Sequence, residues 1–204
     1  EDENDKKYAN AFVRDEVARN LNTPVPVLEK LAEYVGGGTF DFYPPHRAAV
    51  AENKNTPVPW LEKFTEDKDE EVRAAVAGNE NTPPSALEKL AEDENNDVRY
   101  GVAKHANTPV SVLEKLAEDK SEYVRCYVAG NANTPVPILE KLAEDENEDV
   151  RKAVATNANT PVSALEKGKA EKDVRKRRKK TSKNILIEIK SKLIAGWIAE
   201  FSGD

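Results

Sequence analysis

A chain of 204 residues that is 38% apolar and 34% charged is too polar for a thick globular core, yet too rich in regularly spaced Val, Leu and Ala for disorder. Its one cysteine, Cys126, excludes an internal disulfide framework and any cysteine-rich zinc or iron–sulfur centre, and no run of 18 apolar residues is present to span a membrane. The net charge of −7 argues against generic nucleic-acid binding by the whole chain. No segment reads as a signal peptide, and the lack of any Met, even at position 1, is expected of a processed or excised piece of something longer.

Residues 1–12 read as an N-terminal cap segment, and a repeat opens at Val13. It reopens at His46, Val72, Val98, Val124 and Val150, 33 residues after the first opening and every 26 thereafter. Asn-Thr-Pro recurs six times, starting at residues 22, 55, 81, 107, 133 and 159, and locks the register. Each unit predicts two helical segments. Asn-Thr-Pro starts the first, with the Thr hydroxyl expected to accept from free backbone N–H groups and Pro suited to the first turn. That segment runs about ten residues, to Leu-Glu-Lys-Leu-Ala-Glu-Asp, with Leu87 and Leu90 on one face. The second segment, Val-Arg-x-x-Val-Ala-x-Asn, is only about two turns. Helices this short are marginal alone, so neighbouring units must close the core. No period-2 alternation with hairpin turns predicts a sheet.

The joint pattern Val-Arg-x-x-Val-Ala-x-Asn-x-Asn-Thr-Pro-x-x-x-Leu-x-x-Leu-Ala-x-Asp resembles the bacterial leucine-rich repeat variant family, a cousin of HEAT-type repeats. The resemblance covers about residues 13–166. It implies an all-α, right-handed α-solenoid of about six two-helix repeats, in which the second segment is short and sometimes 3₁₀. One family member is described with an N-terminal iron–sulfur domain of clustered cysteines, a feature this chain cannot carry. The family has no common catalytic activity to transfer.

Between the first and second units, residues 34–45 form an insertion loop. Three glycines, Gly36 to Gly38, precede Phe40, Phe42 and Tyr43, and Pro44-Pro45 stiffens the return. Long loops that carry aromatics commonly bind partners, and the alternative is that these rings pack over the first layer. The glycines make no phosphate loop, since no Gly-Lys-Ser/Thr follows.

Residues repeated in every unit are expected to serve what every unit needs. Arg14, Arg47, Arg73, Arg99, Arg125, Arg151 and Arg175 form either a row of cations for an anionic ligand or, the favoured reading, a ladder with Asp67, Asp93, Asp119 and Asp145. Asn20, Asn53, Asn79, Asn131 and Asn157 are expected to cap turns through side-chain-to-backbone bonds. Specificity should lie where units differ. In the fourth and fifth units, Tyr100, Lys104, His105, Tyr123, Cys126 and Tyr127 replace plainer residues. They form a candidate partner-binding patch, with tolerated surface substitution as the competing reading. A lone His and a lone Cys make a poor metal site, and Cys126 is expected to be inert.

The repeat fails near residue 174. From Lys169 to Lys183, nine Lys or Arg stand against two acids, a local +7 that leaves −14 for the rest of the chain. Residues 174–183 read as a basic junction after a solenoid of residues 13–173. Arg175, Lys176, Arg177, Arg178, Lys179 and Lys180 are candidate anion-binding residues, for phosphates, anionic lipid or an acidic protein face. Residues 184–204 read as an amphipathic helix capping the array, with Ile185, Ile189, Leu193, Ile194, Trp197, Ile198 and Phe201 on its apolar face. A partner-binding or membrane-surface helix is the alternative.

No nucleophile–base pair, metal spacing or cofactor motif can be assembled around the only histidines, His46 and His105, so no catalytic, cofactor or metal residues are assigned. The expected function is a non-catalytic scaffold for a protein or peptide partner. Nucleic-acid binding through residues 175–180 is the alternative, disfavoured by the acidic repeats. Self-assembly into a homo-oligomer is the second alternative.

Overall fold

The computed structural model describes residues 3–34, 45–166 and 183. Two sets of helices alternate along it. The Val-Arg set is α1 (Glu3–Arg19), α3 (Pro45–Glu52), α5 (Glu70–Gly78), α7 (Asn96–Lys104), α9 (Glu122–Gly130) and α11 (Glu148–Thr156). The Asn-Thr-Pro set is α2 (Val25–Glu33), α4 (Val58–Phe64), α6 (Pro84–Leu90), α8 (Val110–Leu116) and α10 (Val136–Leu142). Helix resumes at 162–166, and no strand occurs among the described residues. The fold is the all-α repeat solenoid that the 26-residue period predicts. Successive Val-Arg helices pack directly on one another, while the Asn-Thr-Pro helices contact chiefly the Val-Arg helices beside them. α1 runs unbroken through residues 12 and 13, so the segment before Val13 continues the first Val-Arg helix.

The relative lengths of the two segments are the reverse of the sequence expectation. From the second unit on, each complete Asn-Thr-Pro helix has seven residues, whereas α5, α7, α9 and α11 have nine, and all are α-helical. Capping sets both lengths. Asp69, Asn95 and Asn147 stand three residues before the opening Val and accept N–H bonds from the first turn, which starts the helix early. The acids beside them suit the positive end of the helix dipole. The Asn-Thr-Pro helices close early instead: Glu92 N–H bonds Lys89 O at 3.1 Å and Asp93 N–H bonds Leu90 O at 3.2 Å, i→i+3 contacts that tighten the last turn.

Thr does not cap the helix that follows it. Pro occupies the N-cap, so Thr lies one residue outside, and its hydroxyl donates backward to the end of the preceding helix. Thr82 Oγ1 donates to Val76 O at 2.5 Å and Thr108 Oγ1 to Val102 O at 2.6 Å, and the same bond recurs at Thr23, Thr56, Thr134 and Thr160. Terminal helix carbonyls lack an intrahelical donor, and Thr supplies one.

The core is a set of columns. Leu28, Leu61, Leu87, Leu113 and Leu139 form one and are fully buried; Val72, Val98, Val124 and Val150 form another. Each buried Leu or Val contributes about 1.5–3 kcal/mol, but only once the next unit covers it.

Candidate partner-binding site

Three ladders consume the repeated polar groups. In the first, Arg73 grips Asp93 through Nε at 2.6 Å and Nη2 at 3.1 Å, while its Nη1 donates to Asp67 O at 2.7 Å. Arg99–Asp119 and Arg125–Asp145 repeat this, whereas Arg47 pairs with Asp67 more loosely, donating from Nη2 alone at 3.3 Å. Each Asp also accepts the N–H two residues on, as Asp119 does from Ser121 at 2.8 Å. Burial alone would raise the Asp93 and Asp119 carboxyls, but hydrogen bonds from Arg and from that N–H outweigh it and hold both below the usual range. The same pairing raises the guanidinium pKa of Arg73, Arg99 and Arg125. The Arg row is therefore internal. At its start Arg14 finds Tyr34 twenty residues on in place of Asp and lies 4.4 Å over its ring.

The second ladder belongs to the Asn column, which does more than cap turns. Asn79 Oδ1 accepts from Asn81 N–H at 2.9 Å, and its Nδ2 reaches into the previous unit, to Ala51 O at 2.7 Å and Asn53 O at 3.0 Å. Asn53, Asn131 and Asn157 do the same. The third ladder is exposed: Lys89–Glu66 at 3.4 Å, Lys115–Glu92 at 2.6 Å and Lys141–Glu118 join adjacent Asn-Thr-Pro helices. Such pairs add little stability, but they neutralise Lys89, Lys115 and Lys141.

His105 belongs to the Asn ladder and not to the surface patch. It is buried, its Nδ1 accepts from Asn107 N–H at 3.0 Å, and its Nε2 donates to Asn79 O at 2.9 Å. This is a neutral ring imitating Asn, with one donor where Asn has two. His105→Asn is therefore expected to restore the bond to Ala77 O and to stabilise the chain by about 1 kcal/mol in a thermal melt.

His46 stands where later units have Val, and it too is buried, with Nε2 3.2 Å from Tyr34 O. Burial lowers its pKa, with the charges of Arg14 and Arg47 adding to it, against the Tyr34 carbonyl and Asp15. The unfolded chain thus binds this proton more readily. Stability from the neutral ring is complete above about pH 6.5 and is lost as pH falls through the lower folded value. Melting temperature should drop between pH 7 and 5, and His46→Val should remove part of that slope.

The remaining patch residues divide. Tyr100 and Tyr127 come together, their rings 4.3 Å apart at 67°, and Tyr127's hydroxyl is pushed up by its hydrogen bond with Tyr100. Tyr123 is 70% exposed on the first turn of α9, and Lys104 is exposed at the end of α7. Cys126 is half-buried with Sγ 3.8 Å from Asp149 O, and burial followed by the Asp149 charge pushes its thiol pKa up, away from reactivity. Phe40, Phe42, Tyr43, the Arg175–Lys180 cluster and the 184–204 segment lie outside the described residues.

A trench missed by sequence reading runs across the Val-Arg helices. One section, of about 470 Å³, has Ala48, Ala74, Ala75 and Gly78 among its lining with Glu52 and Glu71; the next, of about 480 Å³, shares Ala74 and Gly78 and continues to Tyr100, Gly101 and Lys104. Gly101 lets α7 approach closely, since a Cβ there would stand 2.8 Å from Ala77 Cβ. A Cβ at Gly78 would meet nothing within 4 Å. The small residues at these positions were visible in the sequence, but nothing in it said which face they line. Among the described residues, no group of three or more His, Cys, Asp and Glu is arranged to hold a metal, and no helix is long and apolar enough to cross a membrane.

Residues 70–95, one unit with its register intact, match the family model described as leucine rich repeat variant. Among solved structures, the chain is similar to one described as a leucine-rich repeat variant with a novel repetitive protein structural motif, at 30% identity and a TM-score of 0.52. The match covers 71% of this chain and 56% of that one, so this chain spans little more than half the length of that relative. No curated protein matches it.

Proposed function

Built from units of the leucine rich repeat variant type, this chain is, we propose, a non-catalytic scaffold that binds a protein partner across its Val-Arg face. The observation that carries this reading is the trench floored by Ala and Gly, with Tyr100, itself packed against Tyr127, in its lining. The repeated Arg and Asn residues are consumed in holding units together, and Thr in closing the helix of its own unit. Tyr100, Lys104, Tyr123 and Tyr127, which differ from the plainer residues of other units, lie on Val-Arg helices, where aromatic side chains and a small-residue floor suit recognition of another chain. Affinity capture with the full-length protein, run beside Tyr100→Ala/Tyr123→Ser and a variant lacking residues 36–43, tests it. The expected result is a partner retained by the loop deletion and lost with the tyrosines. Loss with the deletion alone moves recognition to the aromatic loop. Capture of the same proteins by the full-length chain and by both variants overturns the face.

The nucleic-acid alternative rests on residues 175–180. DNA binding that is absent at moderate salt, or unchanged when those residues are replaced, removes it.

A further inference from the structure

The charges around the trench are predominantly negative. On the Asn-Thr-Pro side, Lys89, Lys115 and Lys141 answer Glu66, Glu92 and Glu118 one for one. Around the trench, Arg19 is already held by Asp15 and Glu52. Glu71, Glu80 and Asp97 are exposed on its lining with no ion-pair partner among the described residues, against the single cation Lys104. Each of the two sections has the volume of an ordinary ligand pocket, and they share their floor at Ala74 and Gly78, so an elongated occupant can lie along both.

On the reading that this face binds a protein, we infer that the trench takes an extended basic peptide segment of the partner, with Arg or Lys side chains spaced by small residues. The small residues lie on the Ala/Gly floor, where a bulky side chain would be held off. The cations meet Glu71, Glu80 and Asp97, which gain charge-assisted hydrogen bonds that nothing among the described residues supplies. The electron-rich faces of Tyr100 and Tyr127, on helices α7 and α9, receive a guanidinium stacked beside Asp97. An acidic segment or a nucleic-acid backbone would bring like charge to the same carboxylates.

The test uses the full chain and a fluorescein-labelled dodecapeptide of alternating Arg and Ala, with the Glu-Ala peptide beside it, read by fluorescence anisotropy. The Arg-Ala probe should bind saturably and the Glu-Ala probe should not. Binding should weaken about tenfold or more in Glu71→Gln/Glu80→Gln/Asp97→Asn. It should weaken as much in Gly78→Leu, whose side chain enters open trench and leaves the melting curve unchanged. A control with the same charge loss outside the trench, Glu88→Gln/Glu114→Gln/Glu118→Gln, should retain affinity within about twofold. Equal weakening by both triple variants, or full affinity in Gly78→Leu, means a diffuse acidic surface and overturns the trench. A probe that binds only after Arg175–Lys180 are changed to Gln assigns the trench to the chain's own basic stretch and overturns an external partner. A probe that never binds, beside tyrosine-dependent capture of a partner, removes the basic-peptide assignment alone and leaves the protein-binding reading standing.

Discussion

Asp119→Ala is expected to destabilise the chain by about 3 kcal/mol, the cost of leaving a buried cation without its partner. Arg99 is 5% exposed and holds Asp119 through both Nε and Nη2. Removing the carboxylate strands that guanidinium between two units and also frees the Ser121 N–H that Asp119 caps. Out of a total stability of about 5–15 kcal/mol, this is a large fraction. Urea unfolding of the two proteins measures it; a difference below about 0.5 kcal/mol, the scale of an exposed pair, would mean the ladder is ornamental. Lys115→Ala, which breaks the exposed pair with Glu92, is the internal reference and should stay within that limit. Arg99→Lys should recover only part of the loss, because an ammonium cannot grip both carboxylate oxygens and the Asp93 carbonyl at once. The same pairs shape the acid limb. The Asp93 and Asp119 carboxyls lie below their usual range in the folded chain, so their contribution is complete above about pH 4 and is lost as pH falls through the folded values.

Asn79→Ala should cost a similar amount by a different route. The Asn79 side chain is buried and makes three hydrogen bonds, two to carbonyls of the preceding unit and one from Asn81 N–H. At about 1 kcal/mol each, their loss amounts to about 3 kcal/mol, and the groups left behind have no water to replace them. Because each unit is stable only against its neighbours, the damage is not confined to one turn: hydrogen exchange should rise in α3 and α5 together, on both sides of the broken rung. Exchange confined to residues 79–82 would argue that the rung caps a turn and does not couple units.

Much of this architecture can be read in the sequence, because a repeat writes the same physical requirement many times. The period, the Leu and Val columns and the Arg–Asp pairing at a spacing of twenty residues each follow from residues that recur where neighbours must meet. Recurrence did not reveal what each polar atom bonds. Thr beside Pro has the look of an N-cap, and only the path of the chain shows its hydroxyl turned back to the preceding helix. His105 looked like a surface variant because imidazole is usually exposed or functional; its place in the Asn column made it a structural substitute.

The sequence by itself therefore determined that this chain is a stack of 26-residue helical units whose recurring Arg and Asp residues tie neighbours together. Side-chain period and cap chemistry are local properties, and each unit carries both. Tertiary structure decided which face is left over. Ala74, Gly78 and Gly101 are small for reasons invisible along the chain, and Glu71, Glu80 and Asp97 resemble many other acids in it. They become a site only where stacked helices bring one small-residue floor and its unpaired carboxylates into the same trench.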